Sequence, residues 1–140
     1  MDIKTTFQNG ELDEIYMDQP DGFVVKDQES KVCKLLKSLY GLKQAPKQWH
    51  EKFDRTLTSA DFVINEADRC VYYLYGGGGR VILCLYVDDI LIFGTNIDVI
   101  NEVKSFLLKN FDMKDLGEVD VILNIKLIKV ENGITLSQSH

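Results

Sequence analysis

Two adjacent aspartates, Asp88 and Asp89, stand in the middle of an apolar segment, VILCLYVDDILIFG, at residues 81–94. Removing an ionised carboxylate from water is costly unless the group is paired, hydrogen-bonded or bound to a metal. Two neighbouring carboxylates also repel each other, which raises the pKa of at least one of them. Because Mg²⁺ prefers carboxylate oxygens as ligands, the pair predicts a cation-binding site.

The residues around this pair predict a strand, a tight turn and a second strand. Residues 80–86 are largely apolar, and the apolar residues 90–93 are too few for a helix. A phosphate-accepting regulator would instead place a helix after a strand that ends in an acidic pair. The pattern therefore favours two carboxylates at the tip of a hairpin, where they can hold a metal at the edge of a sheet.

Composition sets limits on the class of protein. The chain has 140 residues, 45% hydrophobic and 27% charged, which is ordinary for one globular domain or a part of one. The longest apolar run, residues 81–87, is too short to span a bilayer, and residues 1–4 do not open a secretory signal. Cys33, Cys70 and Cys84 lack zinc-site spacing, so they are expected to be reduced and mostly buried in an intracellular protein.

Charge is distributed unevenly along the chain. The formal net charge is -6, yet residues 31–55 contain six Lys and one Arg against only Glu51 and Asp54. A basic block inside an acidic chain is compatible with a surface that faces phosphates. It is equally compatible with a solvated helix face, and charge alone does not separate the two.

The hydrophobic pattern predicts an α/β (α+β) fold, with a mainly antiparallel sheet and two helices on one face. Trp49, Phe53 and Leu57 recur every four residues and predict a helix over 45–59, and a second helix follows a cap at Thr95 or Asn96. Its apolar face would be Ile100, Val103, Phe106 and Leu107. Strands are predicted at 14–17, 22–25 and 32–36, and a turn at 20–22 separates the first two. Further strands are predicted at 70–75, 80–86 and 90–93. A last hairpin is predicted from strands 121–130 and 134–136, joined by a turn at 131–133.

Four segments together resemble one family, the reverse transcriptase of copia-type LTR retrotransposons. They are MDIKTTFQNGELDEIYMDQPDGF, VCKLLKSLYGLKQAPKQWHEKFD, YVDD and FDMKDLGEVDVILNIKL, in this order from end to end. The resemblance implies an RNA-directed DNA polymerase with a polymerase palm and part of the fingers. In a single partial domain over 1–140, residues 8–40 would be a fingers-like hairpin segment. Residues 1–7 and 41–140 would be the palm with the start of the primer grip.

The resemblance also implies a catalytic site. Asp2, Asp88 and Asp89 would be the catalytic, metal-binding carboxylates, and the Ile3 carbonyl an additional ligand. The implied cofactor is a pair of Mg²⁺ ions, with Mn²⁺ as a possible substitute. Two such ions activate a primer 3′ hydroxyl and stabilise the leaving pyrophosphate.

Substrate-binding residues follow from the same resemblance. Nucleotide-binding positions would be Phe7, Tyr40, Gly41 and Gln44, with Phe7 excluding a 2′-hydroxyl; without the motif, Phe7 is as easily a core residue. Primer and template positions would be Tyr86, Val87, Lys43, Lys47, Lys52 and Asn124. A solvated helix face is an equally good interpretation of the three lysines, and Asn124 replaces a glycine that is usual in the primer-grip turn.

The implied partners are an RNA or DNA template with its primer, deoxynucleoside triphosphates and the remainder of a Pol polyprotein, without a membrane. The location would be a cytoplasmic virus-like particle of an element encoded in the host nuclear genome. Because upstream strands, thumb, RNase H and integrase lie outside this sequence, the chain is expected to be a fragment that is inactive alone. Two alternatives stay open: a decayed remnant, and a non-catalytic nucleic-acid-binding module that uses Tyr72, Tyr73 and Tyr75 for stacking.

Overall fold

Short antiparallel strands and two helices make up the fold. A computed structural model describes residues 1–10, 14–76, 78–131 and 133–138. Its helices are α1 (Ala45–Thr58) and α2 (Ile97–Asn110), and a short 3₁₀ helix spans Thr6–Asn9. The strands are β1 (Asp2–Ile3), β2 (Tyr16–Met17), β3 (Cys33–Lys34), β4 (Val63–Ile64), β5 (Val71–Gly76), β6 (Gly79–Tyr86), β7 (Asp89–Gly94), β8 (Met113–Lys114), β9 (Val121–Ile122), β10 (Ile125–Val130) and β11 (Gly133–Gln138).

The strands form three sheets in the described residues. The main sheet has six strands in the order β4-β5-β6-β7-β1-β8, so the two-residue strand β1 is inserted between β7 and β8. A three-stranded sheet has the order β11-β10-β9, and β2 pairs with β3. Neighbouring strands are antiparallel throughout. The expectation of a mixed α/β fold with mostly antiparallel sheet and two helices is therefore confirmed.

Helix α1 follows the predicted hydrophobic spacing, whereas α2 buries Val99, Val103 and Leu107 and leaves the predicted Ile100 and Phe106 only half-buried. Pro46 lies in the first turn of α1, where its missing N–H costs nothing. The Asn96 side chain caps α2 by accepting a hydrogen bond from the Asp98 N–H at 2.8 Å, so Asn96 is the cap rather than Thr95. Neither helix in the described residues is long and apolar enough to cross a bilayer.

One face of the main sheet carries the core. Along β6 the residues Val81, Leu83 and Leu85 are buried, whereas Arg80, Ile82 and Tyr86, which project to the other side, are exposed. The buried residues belong to one cluster with the apolar faces of α1 and α2, which are Trp49, Phe53, Leu57, Val99, Val103 and Leu107. The opposite side of the sheet, with the exposed β6 residues and their cross-strand neighbours, is called the open face below.

Three local predictions are wrong. Residues 22–25 form no strand, although the predicted turn exists: the Phe23 N–H donates to the Pro20 carbonyl at 2.9 Å and Gly22 has a φ of +80°. The predicted strand 121–130 is split by a turn at Leu123 and Asn124, whose φ values are +50° and +60°. Cys33 is exposed, and Cys70 and Cys84 are only half-buried, so these thiols are not mostly buried.

Two predicted turns reach beyond the described residues. The run of four glycines between β5 and β6 includes Gly77, and the predicted turn 131–133 between β10 and β11 includes Asn132. Both of these residues lie outside the described part of the chain. The flanking strands nevertheless pair in register, with Gly76 opposite Gly79 and Val130 opposite Gly133.

Candidate active site

The acidic pair lies at the tip of the hairpin β6–β7. Tyr86 pairs with Asp89 across the hairpin, so Val87 and Asp88 form a two-residue turn. Val87 has a φ of +54°, which a β-branched side chain rarely adopts and which costs about 1–3 kcal/mol. The turn is therefore a strained element that its surroundings must hold in place.

Trp49 of α1 supports this turn from the core side. Its indole Nε1–H donates to the Val87 carbonyl at 3.0 Å, and its ring is buried against Phe53 and Phe111 with centroid separations of 5.4 Å. Trp49 is therefore a core residue on the predicted apolar face of α1, and it also makes a hydrogen bond that this pattern did not predict. The hydrogen bond could have been anticipated, because a buried indole N–H needs an acceptor.

Replacing Trp49 with phenylalanine is expected to weaken this support. Trp49→Phe keeps an aromatic ring but removes the donor to the Val87 carbonyl, so the free energy of unfolding should fall by about 1 kcal/mol. Urea denaturation, monitored by circular dichroism, measures this change in the free energy of unfolding. Tyr75→Phe is a matched control because its ring is 63% exposed, and it should leave the midpoint unchanged. Equal midpoints for Trp49→Phe and the wild type would contradict the assignment.

Asp2 reaches the hairpin tip through β1. The Ile3 N–H donates to the Asp88 carbonyl at 2.9 Å, and Met1 and Ile90 exchange two backbone hydrogen bonds of 2.8 Å. In this register Asp2 lies directly opposite Asp89. Asp2 thus lies at the start of a strand beside the hairpin.

Cross-strand pairing places four side chains in one row on the open face. Tyr86 pairs with Asp89, Asp89 with Asp2, and Asp2 with Lys114 of β8. Directly paired residues of antiparallel strands project to the same side of a sheet, with Cβ atoms about 4.5–5.5 Å apart. We call this set, Tyr86–Asp89–Asp2–Lys114, the acidic row. Lys114 has no counterpart among the site residues predicted from the sequence.

The carboxylates differ in their surroundings. Asp88 is exposed at the turn, whereas Asp2 and Asp89 are half-buried. The apolar residues around Asp88 suggested that its carboxylate would be buried, but the free-energy cost of burial applies mainly to Asp2 and Asp89. Burial raises the pKa of Asp89 above its usual value, and the negative charges of Asp88 and Asp2 raise it further. A cation placed between these groups would relieve that repulsion.

The donor chemistry fits a metal site that a substrate completes. No three Asp, Glu, His or Cys side chains among the described residues converge closely enough to enclose a cation. Mg²⁺, however, is commonly bound through one or two carboxylates together with water and substrate phosphates. The Ile3 carbonyl accepts a hydrogen bond from the Thr6 hydroxyl at 3.0 Å, which leaves its second lone pair for such a role.

Two of the predicted nucleotide-binding residues are in contact. The half-buried Phe7 ring, in the 3₁₀ helix, lies 5.6 Å from the ring of Tyr40, which is 89% exposed. Gly41 has a φ of +94°, where a side chain would be strained. Gln44 occupies the residue before α1, and its side chain does not cap the helix. Ser38, just before this segment, is fully buried and its hydroxyl has no partner in the described residues.

The predicted primer and template residues are more scattered. Tyr86 and Val87 are about half exposed at the hairpin tip, beside the carboxylates. Lys43 is exposed, Lys52 is half-buried, and Lys47 is 3.6 Å from Glu51. No hydrogen bond or ion pair in the described part of the chain joins these lysines to the hairpin tip. Asn124 lies in the turn of the three-stranded sheet, in the positive-φ conformation that asparagine tolerates.

A pocket of about 320 Å³ opens beside the acidic row. It is lined by Met1, by the first residues of β7 including Asp89, and by residues 116–123. The segment that precedes the Asn124 turn therefore lies near the carboxylates even though it belongs to a different sheet.

Sequence comparison assigns this arrangement to a family. The profile described as "Reverse transcriptase (RNA-dependent DNA polymerase)" matches residues 1–140. The chain belongs to this reverse transcriptase family. It is 48% identical over 131 residues to a retrovirus-related Pol polyprotein from transposon TNT 1-94 of Nicotiana tabacum, which covers 92% of this chain and 10% of that protein.

Two further relatives extend the comparison for this reverse transcriptase segment. A Pol polyprotein from transposon RE1 of Arabidopsis thaliana is 39% identical over 139 residues, or 99% of this chain and 10% of that protein. A putative transposon Ty5-1 protein of Saccharomyces cerevisiae is 39% identical over 139 residues, or 98% of this chain and 45% of that protein. The chain thus spans about a tenth of the plant relatives, and its resemblance to copia-type elements is confirmed. No solved structure matches significantly.

Proposed function

We propose that this segment carries the catalytic centre of an RNA-directed DNA polymerase that adds deoxynucleotides to a primer 3′ end by two-metal phosphoryl transfer. The observation that carries the proposal is the register of β1. It places Asp2 directly opposite Asp89 and hydrogen-bonds Ile3 to the backbone of Asp88, although these residues are far apart in sequence. Membership of the reverse transcriptase family supports the same reaction.

The residues that would hold two Mg²⁺ ions are Asp2, Asp88 and Asp89, with the carbonyl of Ile3. When bound, the ions would supply an activated 3′ hydroxyl and a stabilised leaving pyrophosphate. The protein holds the three carboxylates on two adjacent strands and a turn. Because the pKa of Asp89 is raised, cation affinity is expected to fall as the pH is lowered through that pKa.

The primer terminus would lie at the open face. Tyr86 and Val87 are exposed next to the carboxylates, where a primer terminus must lie for its hydroxyl to reach them. Phe7, Tyr40, Gly41 and Gln44 would form the nucleotide site, and Lys43, Lys47, Lys52 and Asn124 would contact the template or primer backbone. The partners would be a primed RNA or DNA template, deoxynucleoside triphosphates and the remainder of the Pol polyprotein, in a cytoplasmic virus-like particle.

Primer extension by a Pol polyprotein that contains this segment tests the proposal. With an RNA template, a DNA primer and deoxynucleoside triphosphates, incorporation should require Mg²⁺ or Mn²⁺ and stop on chelation. The isolated 140-residue chain, assayed in parallel, is expected to be inactive. If the polyprotein also fails under conditions in which a related reverse transcriptase works, the proposed reaction is wrong and the decayed remnant is the better interpretation.

A non-catalytic nucleic-acid-binding module is the second candidate. Tyr73 and Tyr75 stack on each other with centroids 6.1 Å apart, which offers one surface for bases. Tyr72, however, is fully buried, and Asp2 and Asp89 lie in the acidic row of the open face, where they would repel phosphates. Such a module should bind a primed template equally well with and without Mg²⁺, whereas the polymerase needs the cation for catalysis.

Sugar selectivity gives a prediction for Phe7. Phe7→Val, placed in the polyprotein, should increase ribonucleotide incorporation with only a modest loss of deoxynucleotide incorporation, because the smaller side chain leaves room for a 2′-hydroxyl. Competition between the two nucleotide types measures the ratio. Phe23→Val, at a ring that is 79% exposed, is the matched control. An unchanged ratio in Phe7→Val would make Phe7 a packing residue, since it also packs partly against the core.

A further inference from the structure

The two peptide units that flank Asp88 both receive hydrogen bonds from other elements. The Val87 carbonyl, in the unit before Asp88, accepts from the Trp49 indole N–H at 3.0 Å. The Asp88 carbonyl, in the unit after it, accepts from the Ile3 N–H at 2.9 Å. Because a peptide unit is planar, a hydrogen bond to its carbonyl restricts the orientation of the whole unit. The backbone on both sides of the Asp88 Cα is therefore restrained, and with it the direction in which the side chain leaves the turn.

The Asp88 carboxylate depends on this backbone restraint. Asp88 is exposed, and its side chain makes no hydrogen bond or ion pair with the residues that the structure describes. The turn sequence does not favour the observed backbone either. A two-residue hairpin turn with a positive φ at its first central residue alone usually has glycine there, but this residue is Val87, at a φ of +54°. The geometry of Asp88 is thus maintained by contacts from outside the turn.

The hydrogen-bond donor from α1 is itself held in place. Trp49 is 2% exposed, and the centroid of its ring lies 5.4 Å from those of Phe53 and Phe111. An indole packed in this way cannot follow a movement of the turn, so the hydrogen bond restrains Val87 rather than Trp49. The other donor, Ile3, belongs to a strand of only two residues. Helix α1 is therefore the more extensive of the two supports.

We propose that Trp49 is a positioning residue for polymerisation, whose indole N–H orients the peptide unit before Asp88 and so holds this carboxylate where it can bind the catalytic cations. The inference rests on the proposed function. Trp49 lies in the core and acts through Val87. A role in packing alone would need the indole ring but not its N–H, so the two roles can be separated by experiment.

Removing the N–H while keeping the ring is the main test. β-(3-Benzothienyl)alanine has nearly the shape of tryptophan, with sulfur in place of the N–H, and would replace Trp49 in the polyprotein. The kcat for primer extension is expected to fall about 10- to 100-fold, because small displacements of reacting groups have effects of this size. The KM for deoxynucleoside triphosphate should change by less than about threefold. The Mg²⁺ concentration for half-maximal rate should rise about tenfold, as when a supporting partner of a metal ligand is lost.

Tyr72→Phe is the matched control. Tyr72 is fully buried, lies opposite Leu83 rather than at the hairpin tip, and donates its hydroxyl to the Asp54 carboxylate of α1. The control thus also removes a buried donor between α1 and the main sheet, and it should keep the wild-type kcat and Mg²⁺ dependence. All proteins are assayed where circular dichroism shows them to be folded. Equal losses of kcat in Tyr72→Phe and in the Trp49 variant would overturn the proposal, because general loosening of the core would explain both.

Hydrogen exchange separates this inference from the proposed function, since it reports on the turn without catalysis. In the polyprotein, amides of residues 81–94 should exchange faster with benzothienylalanine than with tryptophan at position 49, while exchange in α2 stays unchanged. Mn²⁺ binding, measured by electron paramagnetic resonance, should weaken at the site that Asp88→Asn abolishes.

The outcomes distinguish the two claims. Unchanged exchange together with unchanged kcat would overturn the role of Trp49 and leave polymerisation intact. Faster exchange and weaker Mn²⁺ binding in a protein that extends no primer would support Trp49 as the residue that positions Asp88, and would overturn the polymerase assignment.

Discussion

Replacing Asp88 with asparagine in a polymerase that contains this segment is expected to reduce primer extension roughly a thousandfold or more. Asparagine keeps the shape of the side chain but removes the negative charge that would hold a cation at the hairpin tip. Because Asp88 is exposed in a turn, the fold should not depend on its carboxylate. The loss should therefore appear in kcat, with an unchanged unfolding midpoint.

Steady-state primer extension and urea denaturation of the same preparations measure the two effects. Asp112→Asn is a suitable control, because it removes an exposed carboxylate that pairs with Lys4 and does not belong to the acidic row. That control should retain nearly full activity. Extension by Asp88→Asn within tenfold of wild type would show that this carboxylate does not bind a catalytic cation.

Removing the Phe53 ring is expected to have the largest effect on stability. Phe53 is fully buried in α1, and its ring contacts Trp49, Tyr72 and Phe111 at centroid separations of 5.4–5.6 Å. Phe→Ala at such a site costs about 3–5 kcal/mol. Since the stability of a whole domain is about 5–15 kcal/mol, Phe53→Ala should remove about a fifth of it or more and lower the unfolding midpoint markedly.

Chemical denaturation followed by far-ultraviolet circular dichroism measures this loss. Phe23→Ala removes the same kind of ring at a position that is 79% exposed. Its free energy of unfolding should change by less than about 0.5 kcal/mol. A similar small shift for Phe53→Ala would mean that the aromatic cluster does not organise the core. Such a result would also weaken the case for Trp49 as a support of the Val87 turn.

Local patterns predicted the elements whose signals lie within a few residues. The four-residue spacing of Trp49, Phe53 and Leu57 predicted α1, and the asparagine before α2 predicted its cap. The strand at 22–25 was wrong because Phe23 and its two valine neighbours are exposed and pair with no strand of the described residues. An apolar run can predict burial but cannot show whether a partner strand exists.

The candidate site was predictable only in part, since its geometry depends on distant pairings. The resemblance to reverse transcriptases gave Asp2 and the acidic pair, whereas β1 has two residues and therefore no periodicity of its own. The position of Lys114 follows from the register of β1 with β8, which no local signal contains. The hydrophobic pattern missed the turn at Leu123 and Asn124, because leucine is rarely found at positive φ, whereas the resemblance implied a turn at Asn124.

The insertion of β1 between β7 and β8 also determines when β1 can pair with both of its neighbours during translation. Lys114, the partner of Asp2, is synthesised roughly 110 residues after it. At about 5–20 residues per second, the strand waits about 5–20 s before both of its neighbours exist. Until then β1 has at most one neighbour and Asp2 has no cross-strand lysine. The pairing of Asp2 with Lys114 therefore becomes possible later in synthesis than the β6–β7 hairpin and its pairing with β1.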